Sequence, residues 1–175
     1  MAKKFTNKDF NAEDLLKSGI DHISSAEYLL VSKDPRMYDS AGYLAHIGIE
    51  LMIKAWLLHA NSEFEGIHPL RDLFEQLKES VPALHFSETE HQTIDYLSNF
   101  VELRYPNKIR PVEIGQEDIE QIYDLANALW QQMPDNLVEQ YEALPSNKKG
   151  GRVLMIRPSH IPRNLEFETG IKKKS

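Results

Sequence analysis

The sequence predicts an all-helical bundle, and three observations carry the prediction. Apolar residues recur at helical spacing along almost the whole of the first 144 positions. Proline- and glycine-containing breaks divide that pattern into segments of helix length, as at Lys33-Asp34-Pro35 and Pro106 to Gly115. Strand-like alternation is almost absent, with Arg152-Val-Leu-Met-Ile-Arg157 its only clear instance.

The first helix is predicted from Asp9 or Asn11 to Val31, with Leu15, Leu16, Gly19, Ile20, Ile23, Ala26, Glu27 and Leu30 tracing one face. Pro35 ends it, because proline cannot continue a helix and disfavours helical geometry in the preceding residue. The second helix is predicted to start near Asp39 or Ser40, either of which can cap it, and to run to about Asn61. Its apolar residues fall on two faces: Leu44, Ile47, Leu51, Ala55 and Leu58 on one, and Ile49, Ile53 and Trp56 on the other. Such a helix sits centrally or packs against a second subunit, so a homodimer is expected.

A short third helix follows His68-Pro69, with proline in its first turn and Leu70, Leu73, Phe74 and Leu77 on one side. Ser87-Glu-Thr-Glu90 matches a capping box and opens a fourth through Ile94, Leu97 and Val101. Ile119, Ile122, Ala126, Leu129 and Met133 give the narrow seam of a fifth. Asp135 to Leu144 adds a short sixth after Pro134. Two units result: a helical bundle over 9–144 and an irregular tail over 145–175. The tail is basic, with Lys148, Lys149, Arg152, Arg157, Arg163 and Lys172 to Lys174 against Glu166 and Glu168.

Composition narrows the function. The chain of 175 residues has no cysteine, which excludes disulfides, thiolate metal sites and cysteine nucleophiles. Its N-terminus lacks the apolar core of a signal peptide and its uninterrupted apolar runs are short, so cytoplasmic residence without a membrane span is expected. Twenty Lys and Arg against 27 Asp and Glu leave a net charge of -7, against a whole-surface grip on phosphate backbones.

Candidate chemistry concentrates in the second helix. His46, Glu50 and Lys54 are four apart and share one stripe, where charges must be paired or face a groove. Glu50 and Lys54 form an i, i+4 pair in the favourable order. The pair either stabilises the helix or presents Lys54 to an anionic ligand. Neither a metal site nor a cofactor is expected. His46 and His59 lie about 1300° of helical rotation apart, and nothing matches H-E-x-x-H or a glycine-rich phosphate loop. His68 fits either a helix-start residue or a ligand group. Arg104-Tyr105-Pro106 can close a helix structurally or place a guanidinium and a phenol at the mouth of a cleft.

Ala41-Gly-Tyr-Leu-Ala-His-Ile-Gly-Ile-Glu50-Leu-Met-Ile-Lys54-Ala, His68-Pro-Leu-Arg-Asp-Leu73 and Arg104-Tyr-Pro106, in this order, resemble the higher eukaryotes and prokaryotes nucleotide-binding (HEPN) domain over about residues 10–133. The resemblance implies an up-and-down bundle of four to five helices that dimerises across its central helices. It also implies a nucleotide or RNA ligand, and a nucleotidyltransferase partner or a place in a toxin–antitoxin pair. Ribonuclease members carry an Arg followed after four to six residues by His, and no arginine here has a histidine five to seven positions later. The leading expectation is therefore a non-catalytic binding module, with Lys54, His68, Arg104, Tyr105, Glu50 and His46 as ligand-binding candidates. The alternatives are a metal-independent ribonuclease or nucleotide-processing enzyme using His46, His68 and Arg104, and a purely structural interaction protein.

Overall fold

The computed structural model describes residues 3–31, 34–100 and 116–144. Among them are six helices: α1 (Ala12–Val31), α2 (Tyr38–Asn61), α3 (Leu70–Ser80), α4 (Glu88–Leu97), α5 (Gln116–Gln132) and α6 (Asp135–Glu142). A two-stranded antiparallel ribbon joins β1 (Lys4–Thr6) to β2 (Glu63–Glu65), pairing Phe5 with Phe64. The sequence pattern does not predict this ribbon, because three residues are too short for periodicity to register. The Arg152–Arg157 run, Val101, Arg104, Tyr105 and the basic tail lie outside the described residues.

α2 is the axis of the fold. It packs most extensively on α1 and also touches α3, α5 and β2. Gly19 and Gly48 set the α1–α2 approach: a Cβ on Gly19 would stand 2.9 Å from the Gly48 carbonyl oxygen and 3.1 Å from the Met52 amide nitrogen. One on Gly48 would stand 2.7 Å from Ile23 Cγ1. Gly19 facing Met52 while Ile23 faces Gly48 makes the pair antiparallel.

Ile49, Ile53 and Trp56 are fully buried inside the chain, together with Met52, Leu57 and Leu58. They form the core, so they leave no apolar surplus for a second subunit, and the dimer argument drawn from them does not hold. On the other face Leu44, Ile47 and Leu51 are half-buried. Ala55 and Leu58, on the same face as these three, are fully buried, so burial on that face rises toward the C-terminal half of the helix. By length and composition α2 could also cross a membrane, but 78% of its most apolar 18-residue window is buried within the protein, as in a core helix.

Helix ends follow local chemistry unevenly. At α4 the Ser87 hydroxyl accepts from the Glu90 amide at 3.2 Å, and the Glu90 carboxylate accepts from the Ser87 amide at 2.5 Å, completing the capping box. α2 is different. It begins from a 3-10 turn, Pro35–Met37, with Met37 as N-cap and no side-chain cap, so neither Asp39 nor Ser40 serves. At α3, Pro69 is the N-cap residue rather than the first helical one. α2 ends at Ser62, which takes a left-handed φ of 62° and donates its amide to the Leu58 carbonyl, turning the chain into β2.

Candidate functional site

Three turns of α2 place His46, Glu50 and Lys54 on one buried stripe, with side chains 1%, 9% and 7% exposed. The helix supplies the spacing, and neighbouring segments supply the partners. Lys54 Nζ donates to Glu50 Oε1 at 2.5 Å. His68, just before α3, donates its Nδ1–H to the same oxygen at 3.1 Å, while its side chain remains 70% exposed. His46 Nε2 stands 3.5 Å from Glu50 Oε2, beyond ordinary hydrogen-bond length.

His46 is held from its other side. Its Nδ1–H donates to the Leu97 carbonyl at 2.8 Å. Leu97 is the last residue of α4, where helix carbonyls lack intrahelical partners and carry the negative end of the helix dipole. This bond ties the end of α4 to the middle of α2, and it fixes Nε2 as the atom that faces Glu50. That nitrogen is buried and makes no hydrogen bond of its own.

Burial raises the pKa of Glu50, but the His46 ring, the Lys54 ammonium with its charge, and His68 together outweigh it. The result is a pKa lowered from 4.5 to about 2. Glu50 is thus an ionised carboxylate acting only as an acceptor. The cluster is a buried anion ringed by one ammonium and two imidazoles, and His68 alone of the four reaches solvent. Its Nδ1 is committed to Glu50, so Nε2 is the atom left to meet a ligand.

Of the six candidate residues, the structure brings together His46, Glu50, Lys54 and His68. Lys54 is paired within this cluster and not open to solvent. Arg104 and Tyr105 lie outside the described residues. No group of three His, Asp or Glu side chains among the described residues is placed to hold a metal ion.

The sequence reading missed an aromatic border. Lys54 Nζ lies 5.7 Å from the centroid of the Phe64 ring. The Phe5 and Phe10 rings stand 5.5 and 6.1 Å from that of Phe64. The signal was the alternation of polar and aromatic residues in Lys4-Phe5-Thr6 and Glu63-Phe64-Glu65, each too short to read alone.

A helical bundle centred on α2 agrees with the comparison by family. The model of the HEPN domain matches residues 12–136, and the chain belongs to this family, commonly related to nucleotides or RNA. No curated protein and no solved structure matches the chain.

Proposed function

We propose that this chain is a non-catalytic binding module for a nucleotide or a nucleic acid, acting as a homodimer beside a nucleotidyltransferase in a toxin–antitoxin-like system. The observation that supports the ligand is the exposed His68 imidazole, oriented by a buried, ionised Glu50 that Lys54 neutralises. A fixed imidazole whose Nε2 is free to accept a hydrogen bond suits recognition of a base-edge N–H. The chain leaves α4 at Leu97, which His46 holds against this cluster, and Arg104 and Tyr105 are the next Arg and Tyr in the sequence. A guanidinium supplies the planar donor fork that phosphate binding needs.

The test compares Arg104→Gln and His68→Ala with the unaltered chain, measuring binding of adenosine nucleotides and of single-stranded RNA beside the melting temperature. Binding is expected to fall in both variants while thermal stability changes little. Unchanged binding with a clear loss of stability in Arg104→Gln would assign that residue a structural role and overturn its place in the site.

One observation favours a second reading. A carboxylate that orients an exposed histidine is also the arrangement of a general base, so the same assays follow RNA cleavage. Cleavage that persists without added metal and disappears in His68→Ala would replace the binding module with an enzyme.

A further inference from the structure

The N-terminal arm has no place in the cluster around Glu50, yet it is fastened beside it. Gly66 N donates to the Lys3 carbonyl at 2.7 Å, two residues before His68. A Cβ on Gly66 would lie 2.6 Å from Phe5 Cε2, so the Phe5 ring rests on that glycine. The turn after β1 then fixes Phe10. Asp9 Oδ2 accepts from the Thr6 amide at 2.9 Å, and the amides of Asp9 and Phe10 both donate to the Thr6 carbonyl, at 2.8 and 3.2 Å. Phe10 thereby meets Phe5 edge-on at 5.3 Å while its own surface stays 42% exposed, unusual for so large an apolar residue.

The charges around this aromatic group are sorted by the ribbon. Directly paired residues share a face, so Phe5 and Phe64 lie on one side, and Lys4, Thr6, Glu63 and Glu65 on the other. Lys4 pairs with Glu63 on that second face. The aromatic side instead has Lys3, whose Nζ lies 4.6 Å from the Phe5 centroid, and the turn adds the exposed Lys8. In a chain of net charge -7 this arm is a local exception, holding Lys3, Lys4 and Lys8 against Asp9. Exposed aromatic surface interleaved with lysines is the composition that stacks unpaired bases and draws in their phosphates.

We propose that Phe10, backed by Phe5 and flanked by Lys3 and Lys8, is a stacking subsite for an unpaired base of single-stranded RNA whose neighbouring nucleotide reaches His68. This rests on the nucleic-acid reading of the His68 site and extends it to the N-terminal arm. Phe64 touches both halves, its ring centroid 6.1 Å from that of Phe10 and 5.7 Å from the Lys54 ammonium.

The test uses the full chain and a fluorescein-labelled oligouridylate octamer. Phe10→Leu keeps an apolar side chain but removes the stacking face, and should weaken binding about tenfold or more, within the range of a single base–aromatic stack. Phe10→Trp should retain binding. Because Trp56 and Trp130 are buried, its new fluorescence should be quenched by unlabelled RNA. Lys3→Gln with Lys8→Gln should flatten the salt dependence of binding. Melting curves confirm that each variant folds. If the unaltered chain does not bind RNA, the nucleic-acid reading fails and the subsite with it. If it binds and Phe10→Leu binds equally well, the subsite alone is overturned. A Phe10→Leu variant that sediments as a smaller species with unchanged RNA binding would give the patch to a second copy of this chain, and also overturn it.

Discussion

Two stripes run side by side along α2 and are withdrawn from water almost equally, yet they are held there by opposite physics. Taken as whole residues, Ile49, Ile53 and Trp56 are 0%, 0% and 1% exposed, and His46, Glu50 and Lys54 are 1%, 7% and 6% exposed. The apolar stripe gains from burial itself, in proportion to the area it hides. The polar stripe is destabilised by burial and recovers only because its charges meet partners of opposite sign. One stripe therefore tolerates changes of identity that preserve volume, whereas the other depends on the buried Glu50 and Lys54 remaining paired.

The largest effect should come from the apolar stripe. Trp56→Ala removes a fully buried indole from the centre of the core and is expected to cost about 3–5 kcal/mol. Because no ionisable group is lost, the deficit measured by urea denaturation should be the same at pH 4 and pH 7. A deficit that changed with pH would mean that the two stripes are coupled through their shared helix.

Glu50→Gln should break the other stripe, with a different signature. Glu50 ionises at about 2 in the folded protein against an ordinary 4.5. A depressed carboxylate contributes stability that is fully present above the unfolded value and is lost as pH falls toward the folded one. The contribution is about 3 kcal/mol, present at pH 7 and disappearing between pH 4.5 and 2. The unaltered chain should lose that stability across this window, and Glu50→Gln should lack this component while being less stable at pH 7, its Lys54 left buried without a counter-charge. Parallel stability curves for the two proteins between pH 2 and 7 would refute the assignment.

Between α2 and α1 the closest approach is made at two glycines, Gly19 and Gly48. Gly19→Ala drives a methyl to within 2.9 Å of the Gly48 carbonyl, backbone that cannot turn aside. The expected cost is about 1–3 kcal/mol, seen as a lower denaturation midpoint without loss of helical circular dichroism. An unchanged midpoint would show that α1 can slide, and that the stripes do not need this register.

Much of this arrangement was legible in the sequence, for reasons that differ from residue to residue. Spacing of four placed His46, Glu50 and Lys54 on one stripe because helical geometry is local. It could not show that Glu50 also holds His68, eighteen positions away, or that His46 reaches Leu97 in another helix. Those partners are chosen by how helices cross. The core face of α2 was illegible for the same reason: 44, 47 and 51 are as apolar as 49, 53 and 56, and only the elements that pack on the helix decide between them. The arm carrying Phe5 and Phe10 was missed because a three-residue strand has no period to read.

The ends of the helices give the smallest prediction and the sharpest contrast in legibility. α4 announces its start in sequence, and the Ser87 hydroxyl does bond the Glu90 amide. α2 has Asp39 and Ser40 near its start, equally suited to capping by type, but begins at Tyr38 with no side-chain cap. Its first turn is fixed from outside, by the 3-10 turn that precedes it and by the stripes that follow. Ser87→Ala should therefore cost about 1 kcal/mol, the usual worth of an N-cap, whereas Ser40→Ala, at an exposed position on α2, should stay within about 0.5 kcal/mol of the unaltered chain. Paired urea titrations resolve the difference. Equal losses in the two variants would mean that α2 does rely on its own N-terminal side chains, and that its two stripes contribute less to holding the helix than their burial implies.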